Sequence, residues 1–498
     1  MDRDLTAWCA FGAYVVLTTA LALRGMKKTK DFSGFALGNG DLGPLVVGIT
    51  LAASIASTAT FVINPGFVYT HGVSALLHLG LAASLGVIVA LVVFSKGFRR
   101  LGKEHAALTL PHWIGARFGH SGMRTYFALL NLVLAVSFVV LIVKGSALVM
   151  QHTLGLGYVT SVLVIVAFVF GYILLGGTYA HVYTNAFQGA LMVLVAIAIF
   201  GSGLYLFADG LGPFLDRLAA QDANLVAPVN AASPLFGSWW DVVLCGFVVG
   251  AGLTCQPHIL TKSLYLKSDR DLNRFLVVSA VIGVVFALVL VAGLYARIRM
   301  PGIESQDAVM PLYLTQAFGP IAGVLISVAL LAAGMSTLDG LLVGASTIAA
   351  NDLVLGDLGD RVLGARAPED RQRIALSASR WILVLMGVLS AGLALDPPEL
   401  VGIFAQVGVY GLVAASLAPV ALGVLVKDLD PRFVFAAALA GPLVHFTHYL
   451  VSVYGLGVFV NPASTATEGV LASFAVLGAL EAWRRARRPS APMLGVTR

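Results

Sequence analysis

The sequence predicts an all-α integral membrane protein of about thirteen transmembrane helices. Two observations carry that reading. Of 498 residues, 58% are hydrophobic and 11% charged, with a mean hydropathy of +0.91, and the apolar residues gather into stretches of membrane length. They lie near 5–24, 43–70, 73–95, 124–151, 157–176, 182–208, 239–261, 275–297, 319–351, 375–395, 400–426, 432–454 and 467–483. Basic residues also fall on alternate connections. With the N-terminus outside, the inward segments hold 26 Lys and Arg and the outward segments 4, Lys144 alone lying within a span. Such asymmetry orients membrane proteins, and here it puts the C-terminus in the cytoplasm.

The first span opens on Met1-Asp2-Arg3-Asp4 and lacks a small-residue cleavage site, so it reads as a retained helix and not a signal peptide. The net charge of +6 is explained by the inward loops and does not argue for nucleic-acid binding. Cys9, Cys245 and Cys255 all fall in spans, which leaves no disulfide framework and no paired-cysteine metal site. The loops at 96–123 and 209–238 are too short for separate domains, so function belongs to one transmembrane unit over 1–498. No phosphate-binding loop, zinc-protease pair or nucleophile elbow occurs, which points away from an enzyme and toward transport driven by an ion gradient.

Span 2, LGPLVVGITLAASIASTATFVINPGFVY, crowds Ser54, Ser57, Thr58 and Thr60 into its middle and then meets Asn64-Pro65-Gly66. A helix in lipid that spends hydroxyls and a Pro-Gly pair near its centre has something polar to hold, and we expect it to be interrupted there. Span 7 is a second candidate: Gly246, Gly250 and Gly252 loosen it and Gln256-Pro257 removes a backbone donor. The competing reading of these glycines is close helix packing. Taking spans 2–6 (43–208) and 7–11 (239–426) as two five-helix repeats puts one broken helix first in each. The first helix, 5–24, the helices within 432–483 and a basic tail, 484–498, then flank the repeats.

Span 9 carries the third element. Ala333, Ser336 and Thr337 share one helical face. Two hydroxyls from that face and carbonyls freed in span 2 make an all-oxygen cage for a small hard cation. The alternative is that both hydroxyls simply bond back to carbonyls one turn earlier.

These residues resemble the sodium/solute symporters, in particular the bacterial branch with sodium/proline, sodium/pantothenate and monocarboxylate carriers. The likeness runs over about 35–430 and rests on FALGNGDLGPLVVGITLAAS, Asn64-Pro65-Gly66, TLPHWIGARFG, Gly176-Gly177 with TYAHVYTNAFQG, Gln256-Pro257-His258-Ile259, Met335-Ser336-Thr337-Leu338 and Ala418-Pro419. The resemblance implies a LeuT-type inverted repeat working by alternating access. It implies sodium on carbonyls near Ala53 and Ala56, the carbonyl of Ala333 and the hydroxyls of Ser336 and Thr337, with solute beside Ser57, Thr60 and Gln256.

Two departures stand out. Asn185 replaces an Asp that many members carry, while Asp339 sits one turn beyond Ser336; Asp339 with Asn185 is therefore a candidate second cation or proton site. Lys144 lies deep in span 4, where a charge needs a partner, and we expect it to meet the carboxylate of a substrate or to pair with Asp339. The histidines suggest no metal pair: His105, His112, His120 and His181 read as loop residues, His445 and His448 as packed, and His258 as a structural cap. The expectation is sodium-coupled symport of a small carboxylate-bearing solute (a monocarboxylate, an amino acid such as proline, or a pantothenate-like acid) across the inner membrane. It involves no organic cofactor and no metal beyond sodium, and a monomer suffices for transport. Proton coupling on the same fold, or a carrier-like solute sensor, are the alternatives.

Overall fold

The computed structural model describes residues 2–28, 36–37, 42–364, 367–396 and 401–487. Phe35 and residues 38–41 of the FALGNGDLG marker and most of the basic tail lie outside them. The described residues are helical with irregular connections. Ten helices are long and apolar enough to cross a membrane, eleven with one bent pair. Two shorter apolar helices, Tyr158–Leu174 and Trp240–Leu253, stand where the fifth and seventh spans were expected.

In chain order the relevant elements are α1 (Arg3–Met26), α2 (Pro44–Ile55), α3 (Asn64–His71), α4 (Ala83–Glu104), α5 (Leu110–Phe118) and α6 (Ser121–Leu154). Then come α7 (Tyr158–Leu174) and α8 (Gly177–Gly201). They are followed by α9 (Gly246–Leu253), α10 (Asp269–Ala287), α11 (Pro320–Ile348), α12 (Pro368–Leu395), α13 (Val401–Leu425), α14 (Pro431–Leu450) and α15 (Pro462–Ala486). α7 and α8 meet at Gly177, whose φ of 55° and ψ of −144° suit glycine and interrupt the helix.

The bundle is layered from inside out. Over their most apolar windows α11 is 78% buried and α13 83%, whereas the spans containing α4 and α10 are 28% and 33% buried and face lipid. α11 packs against α6, α7–α8, α2 and α1; α14 and α15 pack on each other and on α13. α5 is fixed at the end of this core. The Thr109 hydroxyl accepts from His112 N at 3.1 Å, capping the helix, and donates to Asp352 Oδ2 at 2.6 Å. Arg124 donates to Asp352 Oδ1 at 2.7 Å and to Asn351 O at 2.6 Å.

One expectation about helix breaks needs correction, and in span 7 the break lies at Gln256-Pro257 as expected but not at the glycines. Span 2 is bent by 55°, but at Ala56 (φ −81°, ψ 84°), not at Asn64-Pro65-Gly66. Those three residues begin α3. A π turn over Ala59–Ile63 precedes them, and a widened turn accommodates a proline that cannot donate to the preceding turn. Gly66 is needed for contact: a Cβ there would lie 2.2 Å from Gln306 O. In span 7 the glycines serve close packing. A Cβ on Gly250 would come 2.1 Å from Ala83 O, and one on Gly86 of α4 2.1 Å from Phe247 O, so the two backbones cross in contact. The helix stops only after Leu253, and the chain runs irregularly through Gln256-Pro257 to a 3-10 segment, Leu260–Tyr265.

Candidate functional site

The bend in span 2 releases backbone oxygens beside α11. Ser57 N donates to Ile55 O at 3.1 Å, so the carbonyl of Ala53 loses its usual helical donor four residues on. Ser336 Oγ donates to Ala53 O at 2.9 Å and lies 3.0 Å from Ala333 O. Thr337 Oγ1 donates to Ser54 O at 3.0 Å and is 3.4 Å from Ala333 O. Three carbonyls and two hydroxyls, all buried, therefore converge from α2 and α11. The hydroxyls both bond back within α11 and reach across to α2, so local back-bonding describes only half of what they do. Ser54 supplies a carbonyl that sequence reasoning passed over. Ala56 lies at the bend itself and lines the adjoining cavity.

The second half of the broken helix begins with its own cap: Ala59 N donates to Ser57 Oγ at 3.0 Å. Here the chain borders a cavity of 350 Å³, at the lower end of the range usual for small-molecule sites. Ser57, Thr60 and Asn64 enter it from span 2, Gln406 and Tyr410 from α13, and Phe138 and Leu141 from α6, while apolar side chains of α4 and α10 close the lipid-facing side. No lysine or arginine is among its lining residues.

Of the residues expected at the solute, Ser57 and Thr60 reach this cavity, and Lys144 and Gln256 do not. Lys144 Nζ lies 3.1 Å from Asp307 Oδ2, in the connection preceding α11. In this structure the lysine pairs with Asp307 and not with Asp339, and a substrate carboxylate is not needed to explain it. The reason is distance along the chain: a partner 163 residues away leaves no local pattern. Gln256 is buried in the irregular stretch after α9, its amide nitrogen without a hydrogen-bond partner.

Asp339 is fully buried. It accepts from the Tyr172 hydroxyl at Oδ1 and from Thr184 Oγ1 at 2.8 Å at Oδ2. Asn185 Nδ2 donates to Ser54 Oγ and to Ser336 O, both at 2.9 Å, tying α8 to both sides of the oxygen cluster.

Lys262 is the residue that the sequence misplaced. Counted among inward loop charges, it is 1% exposed, with Nζ donating to Ser54 Oγ at 3.0 Å and His258 O at 2.8 Å. Its signal was its position six residues after Gln256, too close to the broken helix to be free of it. His181, also read as a loop residue, is buried next to it.

Known proteins with similar sequences and shapes now bear on this arrangement. The chain is 28% identical over 408 residues to the sodium/pantothenate symporter of Haemophilus influenzae, covering 80% of this chain and 81% of that protein. It is 25% identical over 453 residues to the Escherichia coli sodium/pantothenate symporter, with 89% and 91% covered. It is 24% identical over 413 residues to a Staphylococcus aureus sodium/proline symporter, with 80% and 77% covered. Its shape matches a sodium-coupled sialic acid symporter solved substrate-bound and outward-open, with a TM-score of 0.76 at 17% identity over 97% of this chain and 98% of that one. It also matches Mhp1, a nucleobase-cation-symport-1 family transporter, with a TM-score of 0.54 at 12% identity over 92% and 96%. The fold is thus LeuT-like. The model of the sodium:solute symporter family matches residues 35–441, and with the broken helix, the oxygen cluster and the cavity in place, the chain belongs to that family.

Proposed function

We propose that this protein is a sodium-coupled symporter for a small carboxylate-bearing organic solute with an apolar body, working by alternating access in the inner membrane. One observation carries the reading: the oxygens of Ala53, Ser54, Ala333, Ser336 and Thr337 converge within hydrogen-bonding distance, and the same broken helix borders the cavity a few residues on. Five neutral oxygens suit a hard monovalent cation that must also be released. Sodium drawn into them fixes the bend of span 2 against α11, and the bend shapes the cavity, so each ligand favours the conformation that binds the other.

The solute class follows from the cavity walls. Without a cationic side chain there, a carboxylate is received by the N-terminal end of the second half of span 2, where amides and the helix dipole favour negative charge. Ser57, Thr60 and Gln406 supply oriented hydrogen bonds, and the apolar wall of α4 and α10 receives the rest of the molecule. Relatives named for pantothenate and proline, both carboxylates, support this class.

In this reading the chain crosses the bilayer thirteen times, with the N-terminus outside and two five-helix repeats over 43–208 and 239–426. Ala56 borders solute and sodium alike, and Asp339 and Asn185 modulate the cation site. The test is a thermal-shift screen of purified protein against small acids, amino acids and sugars in sodium and in potassium, since bound ligand raises apparent stability. A carboxylate that stabilises the protein only in sodium supports the reading. Sugars alone, or equal shifts in both salts with a response to pH, would replace it with another solute class or with proton coupling.

A further inference from the structure

Four carboxylates are buried among the described residues, and three have a cation beside them. Asp307 faces Lys144 at 3.1 Å, Asp352 faces Arg124 at 2.7 Å and Glu481 faces Arg484 at 2.7 Å. Asp339 has only hydroxyl partners. Lys262, correspondingly, is a buried ammonium with only a hydroxyl and a carbonyl as partners. Each is the charge that the other lacks, and a buried charge is costly unless compensated.

Two sets of hydrogen bonds, joined only by the adjacency of Thr184 and Asn185 on α8, connect the two. Lys262 Nζ and Asn185 Nδ2 both donate to Ser54 Oγ, at 3.0 and 2.9 Å. Thr184, beside Asn185 on α8, donates to Asp339. These bonds run alongside the oxygen cluster: the Ser54 carbonyl accepts from Thr337, and Asn185 also donates to Ser336 O. The remaining groups against the lysine are His181 and His258, whose rings include buried nitrogens without hydrogen bonds; neither adds a carboxylate.

We propose that Lys262 is a tethered counter-cation for Asp339, filling the role of a second transported cation so that the protein binds a single sodium ion. The proposal rests on the sodium reading above and adds a stoichiometry and a residue that sets it. The ammonium stays with the protein through the cycle, and its bond to Ser54 holds the inner half of span 2 where the carbonyls of Ala53 and Ser54 meet α11. Removing it leaves Asp339 as an unpaired carboxylate next to a sodium site, which then attracts another cation.

Equilibrium binding of radioactive sodium to the purified protein, without solute, tests this. The expected results are one sodium per wild-type protein, two for Lys262→Met, and one again for the double variant Lys262→Met/Asp339→Asn. Asp339→Asn alone strands the ammonium and weakens sodium binding at least tenfold, and adding Lys262→Met recovers it. Two sodium ions in the wild type, or one at unchanged affinity in Lys262→Met, overturns the inference. If Lys262→Met binds none because it is poorly folded, the double variant decides: recovery of one sodium supports compensation, and continued loss rejects it. A wild type that binds no sodium would defeat the sodium reading itself, a distinct outcome.

Discussion

Replacing Thr337 by Val keeps the shape of the side chain and deletes one oxygen from the proposed cage. In the structure that oxygen donates to Ser54 O at 3.0 Å, with Ala333 O at 3.4 Å. Only the first is a good hydrogen bond by length, so its loss costs about 1 kcal/mol of stability in the absence of sodium. An oxygen facing a bound cation is closer in kind to a charge-assisted hydrogen bond, worth about 1.5 to 3 kcal/mol. The ion must first displace the neutral bond, so the net loss of sodium binding is about 0.5 to 2 kcal/mol, roughly 2- to 30-fold in affinity. Ser336→Ala removes an oxygen with two short contacts and should lie at the upper end of that range. The assay is the rise of Tm with sodium at constant ionic strength, held with choline. Thr337→Ser, which retains the hydroxyl, should titrate near wild type. Thr347→Val on the same helix should also do so, because its hydroxyl has no hydrogen-bond partner. A Thr337→Val protein with a wild-type sodium midpoint would refute the cage.

Four further outcomes follow from the same geometry. Lys144→Met and Asp307→Asn should each lower stability by about 3 to 5 kcal/mol, because each removes one member of a largely buried ion pair, whereas the double variant should recover most of the loss; a double variant as unstable as the singles would show that the pair is not what holds these residues. Asp352→Asn leaves Arg124 beside a neutral amide and should lower Tm while leaving the sodium midpoint unchanged, since the pair lies at the end of α11 away from the cage. Gln406→Ala should weaken solute binding about tenfold, the scale of one lost hydrogen bond to a charged group, and leave sodium binding without solute intact; isothermal titration with the carboxylate found in the screen reads this. Gly250→Val should destabilise by about 1 to 3 kcal/mol or more through the clash with Ala83 O, measured as a fall in Tm.

What the sequence made legible is what repeats locally. Apolar runs of membrane length gave the helices, and the spacing of Ala333, Ser336 and Thr337 placed three groups on one face that the structure turns toward α2. The bend of span 2 was legible only to within two turns. Pro65 and Gly66 are the conventional breakers, yet the chain bends at Ala56, whose side chain gives no sign of it. A proline after a π turn is tolerated, and a bend whose freed carbonyls find hydroxyls on another helix needs no breaker of its own. The ionic partners were less accessible still. Lys144 and Asp307, or Lys262 and Ser54, are 163 and 208 residues apart, and only helix packing brings them together. Gln406 was visible as a lone amide in an apolar span, a signal that deserved a place beside the hydroxyls of span 2.

The placement of charge then bears on how coupling arises. The proposed sodium cage is built from neutral oxygens, while Lys262 bonds Ser54 on the α2 side and Asp339, two residues on from Thr337, is bonded by Thr184 of α8. Ser54 belongs to both arrangements at once: its carbonyl faces Thr337 and its hydroxyl faces Lys262. A sodium ion pulling on that carbonyl must therefore move a residue anchored to a buried ammonium, and span 2 cannot rotate freely to follow the ion. In the proposed mechanism the bend is held from behind, and occupancy of the cage would change the tilt of the segment beyond it, Ser57 to Asn64, which lines the cavity. Weakening the anchor should consequently loosen coupling before it abolishes sodium binding. In Ser54→Ala, which keeps the carbonyl and deletes the hydroxyl, sodium should still bind within a few-fold of wild type while its ability to raise solute affinity falls about tenfold or more. Equal enhancement of solute affinity by sodium in Ser54→Ala and wild type would show that the anchor plays no part in coupling.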